Sequence, residues 1–513
     1  MRFVVWSLLV LGLILPICYL IKFAIIHFDI NLIIYSFLDP YIRDCIFFTL
    51  ETALISLIFI FLFGISSAAT LISLPTNLSR IAAVALILSV LNPPFVGSIG
   101  YRYLLSSIGL IESTQLGIAL SQSINLFPLV AILFDSAFRN IDKSLLETAK
   151  IFNIPRPIIL LRIILPLVTP AMVNSALFCL AGIFADIGSP IIFEERRFLS
   201  LVIFNLISDK DPFGIAVWLI IYHFILFGLL MYLCRKHLKG YFVETVSTAF
   251  KSNQINFKPA FRLLALFLFA ILFLLSHTPQ LFVFYYSVTT FDGSLTLRNF
   301  YAAFTDGKFY HSIFLSSFLA FCSSILALMI SFHISWKNKK SQINFEAKML
   351  DYISIVPQFF PVLLLAFLVV LTYKGTYLDN TSAPIILLII LYTIRKIPQG
   401  TRVLVGLLKQ IGSELEDAAK VFGFQPRSIL LKIYLPILSQ TFLRLFVVFF
   451  TTSLFETSST LVIPVDQNSF PLSKFIYNIY SEPENFHPAC AMLSLVLLFA
   501  YLVSFLIFKL SQK

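Results

Sequence analysis

The sequence predicts an all-α polytopic membrane protein of about 12 transmembrane helices, arranged as two parallel six-helix repeats. Three observations carry that prediction. Of 513 residues, 59% are hydrophobic and only 12% are charged, against roughly 45–50% apolar and 25% charged in a soluble domain. Apolar runs of about 20 residues, the length that spans a bilayer as a helix, recur along the whole chain. One segment in the middle of the first half returns in the second half at an offset of 270. The composition excludes a soluble enzyme, a disordered chain and a secreted disulfide scaffold, and no polar stretch leaves room for a soluble domain of about 100 residues.

The expected spans follow in order: residues 5–26, 47–73, 81–103, 116–138, 163–193, 213–234, 260–277, 310–335, 350–373, 383–404, 435–464 and 488–508. Several are long enough to tilt or to contain a break. The first follows Met1-Arg2 and lacks an A-x-A cleavage site, so it reads as an uncleaved span rather than a signal peptide. The net charge of +11 reports topology rather than nucleic-acid binding. With the N-terminus inside, most Lys and Arg residues fall on inner loops, including Arg139, Lys150, Arg156, Arg395, Lys396, Arg402, Lys420 and Lys432. Acidic residues such as Glu194, Glu195, Asp209, Asp211, Asp466 and Glu482 collect on the outer side. The positive-inside rule then places both termini in the cytoplasm. Asp135 and Arg444 lie near inner span ends, where snorkelling is the expected account. The six cysteines are scattered without a CxxC pair and no His pair has ligand spacing, so no metal site is predicted.

The repeat sits between the fourth and fifth spans of each half. ETAKIFNIPRPIILLRIILP (147–166) matches DAAKVFGFQPRSILLKIYLP (417–436), and further on FADIGSPII (184–192) aligns with LFETSSTLV (454–462). The chain therefore divides into 1–240 and 241–513, with inner loops 142–166 and 412–436. Six spans is an even number, so the halves run in the same direction, related by a pseudo-two-fold along the membrane normal. Each loop reads as a short capped helix. Ser144-x-x-Glu147 and Ser413-x-x-Glu416 are capping boxes, with Asp142 a rival N-cap. Asn153 and Gly423 occupy the position that ends a helix in left-handed conformation. Pro155 and Pro426 forbid continuation. Ala149, Ile151 and Phe152, or Ala419, Val421 and Phe422, present a small-then-large apolar face.

This pattern resembles the E-A-A…G…I-x-L-P loop of ABC-importer permeases, whose type I fold it implies. The second copy fits with Glu416, Asp417, Ala418, Ala419, Gly423 and Leu435-Pro436, while the first carries Thr148 for Ala and Asn153 for Gly. The resemblance implies that Glu147, Ala149 and Asn153, with Glu416, Asp417, Ala419 and Gly423, couple the chain to two copies of a cytoplasmic ABC ATPase subunit. An extracytoplasmic solute-binding protein would be the outer partner and membrane lipid the surroundings. No G-x-x-x-x-G-K-[ST] loop is present, so ATP and Mg would be bound by the partner. The chain itself would be no enzyme and hold no cofactor. The implied location is a bacterial inner membrane.

In layout the chain resembles fused two-half ferric iron permeases, with thiamine permeases the nearest relatives. The discriminating segments are Ala185-Asp186-Ile187-Gly188 and Phe455-Glu456-Thr457-Ser458, with Ile187 in place of the usual Phe. Asp186 and Glu456 stand at equivalent points in the fifth spans. Intramembrane carboxylates are costly and usually face a cavity or a partner, so both are expected to line the translocation pathway, where oxygen ligands suit a hard cation. Each lies 20 residues beyond its Leu-Pro proline, roughly 30 Å along a helix and so in the outer half of the bilayer. Thiamine or another small solute is the alternative cargo. A secondary transporter, which also often has two six-span halves, is the remote alternative; it would show proton or sodium relays within the spans.

Overall fold

A computed structural model describes residues 2–26, 39–90, 94–107, 114–139, 143–208, 215–223, 259–340, 345–358, 362–376, 383–411, 413–465, 470–480 and 483–510, with a few isolated positions between them. The expected residues Asp142, Asp209, Asp211, Asp466 and Glu482, the side chains of Ser144 and Ser413, and most of the link between the halves lie outside the described set. The described chain is helical, with a single isolated bridge between Thr289 and Leu295.

The first half contributes α1 (Arg2–Ile26), α2 (Pro40–Ser73), α3 (Thr76–Val90), α4 (Pro94–Ser107), α5 (Thr114–Arg139), α6 (Lys143–Ile151), α7 (Leu165–Ala185), α8 (Gly188–Ile192) and α9 (Leu199–Ser208). The second contributes α10 (Pro259–Ser287), α11 (Arg298–Thr305), α12 (Gly307–Lys340), α13 (Phe345–Ile355), α14 (Val362–Tyr373), α15 (Ala383–Gln410), α16 (Ser413–Val421), α17 (Leu435–Leu454), α18 (Ser458–Val462), α19 (Leu472–Tyr480) and α20 (Phe486–Leu510). The offset of 270 that links the sequences also links α6 with α16 and α8 with α18, end for end. A π turn enters each fifth span at Leu160–Ile164 and Leu430–Tyr434, again 270 apart. Pro128 lies inside α5 and Pro398 inside α15 at the same spacing.

Among the described residues, six helices are long and apolar enough to cross a membrane alone. The bent pair Leu161–Thr169 and Ala171–Ala185, with 44° between its parts, makes a seventh if it is one span. Other expected spans are built from shorter pieces, such as α3 with α4 and α13 with α14.

Local chemistry explains the long helices. Asp39 caps α2 by accepting the Ile42 amide at 3.0 Å, with Pro40 at the first helical position. Inside the spans, hydroxyls return to the carbonyl one turn back, as Thr49 to Cys45 (2.8 Å) and Thr52 to Phe48 (2.7 Å). That gives each of these two donors a partner within its own helix. Close packing uses small residues. A Cβ on Gly64 would stand 2.7 Å from Val130 Cγ1, and one on Gly400 would stand 2.5 Å from Ser331 Oγ. These contacts seat α2 on α5 and α12 on α15.

The two chain halves interlock. Helix α1 packs on α14 and α15 of the second half. The Tyr373 hydroxyl donates to the Leu11 carbonyl, and Glu346 takes Arg2 at 2.8 Å and Trp6 at 3.3 Å. Helix α10 in turn packs on α2 and α4 of the first half. There Tyr101 donates to the Leu275 carbonyl at 2.7 Å and Thr70 to that of Ala265 at 2.8 Å. Each half thus lends its first helix to the other.

Candidate functional site: two inner loops and two helix breaks

The inner loops form first. Helix α16 ends in the double hydrogen bond of a Schellman motif: the Phe424 amide reaches Ala419 O at 3.0 Å and the Gly423 amide reaches Lys420 O at 2.9 Å. Gly423 sits at φ +74°. Helix α6 closes in the same way, with Ile154 N to Ala149 O at 3.0 Å and Asn153 at φ +49°. The left-handed expectation at both positions matches the backbone found.

The apolar face expected on each loop splits in two. Ala149 and Ala419 are buried, and Ala419 packs with Leu408, Ile429, Tyr434 and Leu438. Phe152 and Phe422 are 73% and 80% exposed, with Ile151 and Val421 beside them. The alanines therefore seat each loop on its own chain, because a small side chain lets the helix lie close. The following pair faces outward. Glu416 accepts from the Tyr434 hydroxyl at 3.2 Å and faces Lys420 at 3.4 Å. Asp417 lies 3.1 Å from Lys420 and raises the ammonium pKa above its ordinary value, with Glu416 adding to it. Glu147 is exposed.

The second pair of features is the break that follows each fifth span. α7 stops at Ala185, and Asp186 is its extended C-cap. The Asp186 carboxylate accepts the Ser189 amide at 3.1 Å and the Gln122 amide group at 3.0 Å. α17 stops at Leu454, and Glu456, only 8% exposed, takes a charged partner: Arg395 of α15 donates to its Oε2. Next to it, Lys396 is 7% exposed and donates to the Thr452 hydroxyl at 2.6 Å. Both break carbonyls are held alike, with Ser200 donating to Asp186 O at 2.6 Å and Ser473 to Glu456 O at 2.8 Å. α7 is continuous through Gly182 to Ala185, and its bend of 44° lies upstream, between Thr169 and Ala171.

Three expectations change. Arg395 and Lys396 are not loop residues, because α15 runs through them with 12 residues before Arg395 and 14 after Lys396. Asp135 does not snorkel: it is buried with Arg139 at 2.8 Å, and Arg139 also reaches Leu71 O and the Ser79 hydroxyl. A buried ion pair needs such extra partners to offset its desolvation. Glu456 is not a bare carboxylate, since Arg395 neutralises it. Arg444, the other residue expected to snorkel, is half-buried on α17.

Sequence reasoning missed Arg395, Lys396 and Gln122 as neighbours of the breaks. The signal was there: the offset of 270 pairs Gln122 with Tyr392, Asn125 with Arg395 and Pro128 with Pro398. Among the described residues, no group of three His, Cys, Asp or Glu stands together to hold a metal ion.

Two comparisons with known proteins bear on this architecture. Residues 346–513 match the family profile "Binding-protein-dependent transport system inner membrane component". That region runs from α13 through α15, loop α16 and the α17 break to the C-terminal helix. A sulfoquinovosyl glycerol transport system permease protein of Agrobacterium fabrum is 29% identical over 150 residues, covering 29% of this chain and 51% of that protein. The chain thus spans about half the length of the curated relative it matches. The second half of the chain is thus similar to an inner-membrane component of a binding-protein-dependent transport system, in an all-α chain whose described residues hold six helices long and apolar enough to cross a membrane.

Proposed function

We propose that the chain is the membrane-spanning permease subunit of an ATP-driven importer, fed by an extracytoplasmic binding protein and powered by two copies of a cytoplasmic ABC ATPase subunit. ATP and Mg belong to those partners. The observation that carries this reading is the pair of inner loops. Each is a capped helix of nine residues, seated by a buried alanine and offering an exposed apolar pair to the side where a two-fold partner would dock. ATP-driven closure of that partner draws the loops together and rocks the interlocked halves, so that the path opens near the α7 and α17 breaks. Asp186 and Glu456 line this path. The reading as two permease units, 1–240 and 241–513 with both termini cytoplasmic, belongs to the same proposal.

For the cargo, the resemblance in layout favours ferric iron, with thiamine as its near alternative. A second reading, an organic solute, is favoured by the sugar-type name of the relative and by the Arg395 cation on Glu456. Labelled ferric iron, thiamine and sulfoquinovosyl glycerol uptake in cells with and without the gene decides among them. Loss of iron uptake alone establishes the first reading. Loss of another solute overturns iron while leaving the permease reading in place.

A further inference from the structure

The two breaks share a scaffold and differ in what fills it. In the first half, the Ser189 hydroxyl bonds Ser98 at 2.9 Å, and Ser98 bonds Ser121 at 3.0 Å. All three are fully buried. At the offset of 270 the second half holds Ser459, Leu368 and Leu391. Ser459 is fully buried too, and its hydroxyl has no hydrogen-bond partner among the described residues. The Ser453 hydroxyl, three residues before Glu456, is equally without one. Burying an unmade hydrogen bond is costly, so two such groups flanking one break are unexpected in a passive wall.

Charge differs in the same direction. The partners of Asp186 are an amide side chain, a hydroxyl-bearing residue and backbone. Glu456 faces Arg395, with Lys396 one residue on. Lys474 caps the end of α18, reaching the Ile463 carbonyl at 3.0 Å. Glu456 thus has one cation on its carboxylate, and Lys396 and Lys474 reach neutral oxygens. Arg395 has its counter-ion, whereas the buried Lys396 side chain donates to a neutral hydroxyl. Intramembrane cations are expensive and mark solute paths, and a lysine without a carboxylate calls for an anion.

We infer that the α17 break is an oxyanion subsite of the transport path: Lys396, next to the Arg395–Glu456 pair, takes a carboxylate, sulfonate or phosphate group of the solute, and the Ser453 and Ser459 hydroxyls donate to it. The α7 break is closed by its own hydrogen bonds and takes no such group. This rests on the permease reading and deepens it. If iron is the cargo, it crosses as an anionic chelate rather than as a bare cation.

The test places a reporter at the subsite of the full chain in intact cells. Ser459→Cys is exposed to an anionic sulfonatoethyl thiosulfonate and to a cationic trimethylammonioethyl thiosulfonate, with the wild-type chain as the blank for its own cysteines. A cationic field raises local anion concentration and rate by roughly tenfold or more. The anionic reagent is therefore expected to label about tenfold faster, and Lys396→Gln to abolish that preference. Ser453→Cys is the second reporter should the first fail to reach the membrane. Equal rates, a faster cationic reagent, or no labelling at either position overturns the subsite. Charge-selective labelling is read without any ATP-driven step, so it fails or stands apart from the permease reading.

Discussion

The two helix breaks stand 270 residues apart in the chain and differ most in the side chains that surround them. Around Asp186 the carboxylate is answered by Gln122 and the Ser189 amide, and the Ser189 hydroxyl by Ser98 and through it Ser121, all within the first half. Around Glu456 a carboxylate is answered by an arginine, a lysine leans on a hydroxyl, and two serine hydroxyls are left over. The backbone is common to both: a helix stop, a short following helix, and a serine from the next helix holding the break carbonyl. The frame is therefore shared by the two breaks, while the residues on α4 against α14 and on α5 against α15 differ in their chemistry.

The largest effect expected from that contrast is electrostatic. Arg395→Ala strands a buried carboxylate and is expected to cost about 3–5 kcal/mol, read as thermal inactivation of the detergent-solubilised chain. The added change Glu456→Gln should recover most of it. Gln122→Ala, the matching change in the first half, removes a hydrogen bond to a charged group and is expected to cost about 1–3 kcal/mol. Equal losses in both halves would erase the proposed difference. The hydroxyl comparison is smaller and sharper. Ser189→Ala breaks a three-serine chain and should cost about 1 kcal/mol or more. Ser459→Ala removes a hydroxyl with no partner among the described residues and should cost nothing measurable in the same assay. A loss at Ser459 as large as at Ser189 would contradict the orphaned hydroxyl.

The smallest effect lies in the loop after α8. Burial pushes the Glu195 carboxyl up, but hydrogen bonds from Arg197 and Thr114 outweigh it and hold the pKa below the ordinary 4.5. Its contribution is therefore complete above the ordinary carboxylate value and lost as pH falls through the lowered one. Glu195→Gln should flatten the decline in thermal stability below about pH 4.5 by less than ~1 kcal/mol. An unchanged acid slope would assign that decline to other carboxylates.

Much of the frame was legible in the sequence because periodicity and chain duplication report backbone. The left-handed residues Asn153 and Gly423, the stops before Pro155 and Pro426, and the equivalence of Asp186 with Glu456 all follow from local rules. The partners did not, because they are tertiary. Arg395 and Lys396 count as loop charges on a positive-inside tally, since that tally sees sequence position and not the 28-residue helix that carries them inward. Ala149 and Ala419 looked like part of an outward knob, because a helical face read from spacing does not say which side the rest of the chain covers. The exchange of first helices between halves leaves no local mark at all. The offset of 270, extended to α5 and α15, was the overlooked handle on the Glu456 partner.

The docking role of the inner loops is the claim on which the functional account stands. The full chain, tagged and purified in mild detergent from its own cells, should bring magnesium-dependent ATP hydrolysis with it. A variant carrying Glu147→Lys and Asn153→Arg with Glu416→Lys and Gly423→Arg should be recovered from the membrane in the same amount and bring none. Hydrolysis at the wild-type level in that variant, or its absence from the wild-type preparation, would contradict the account.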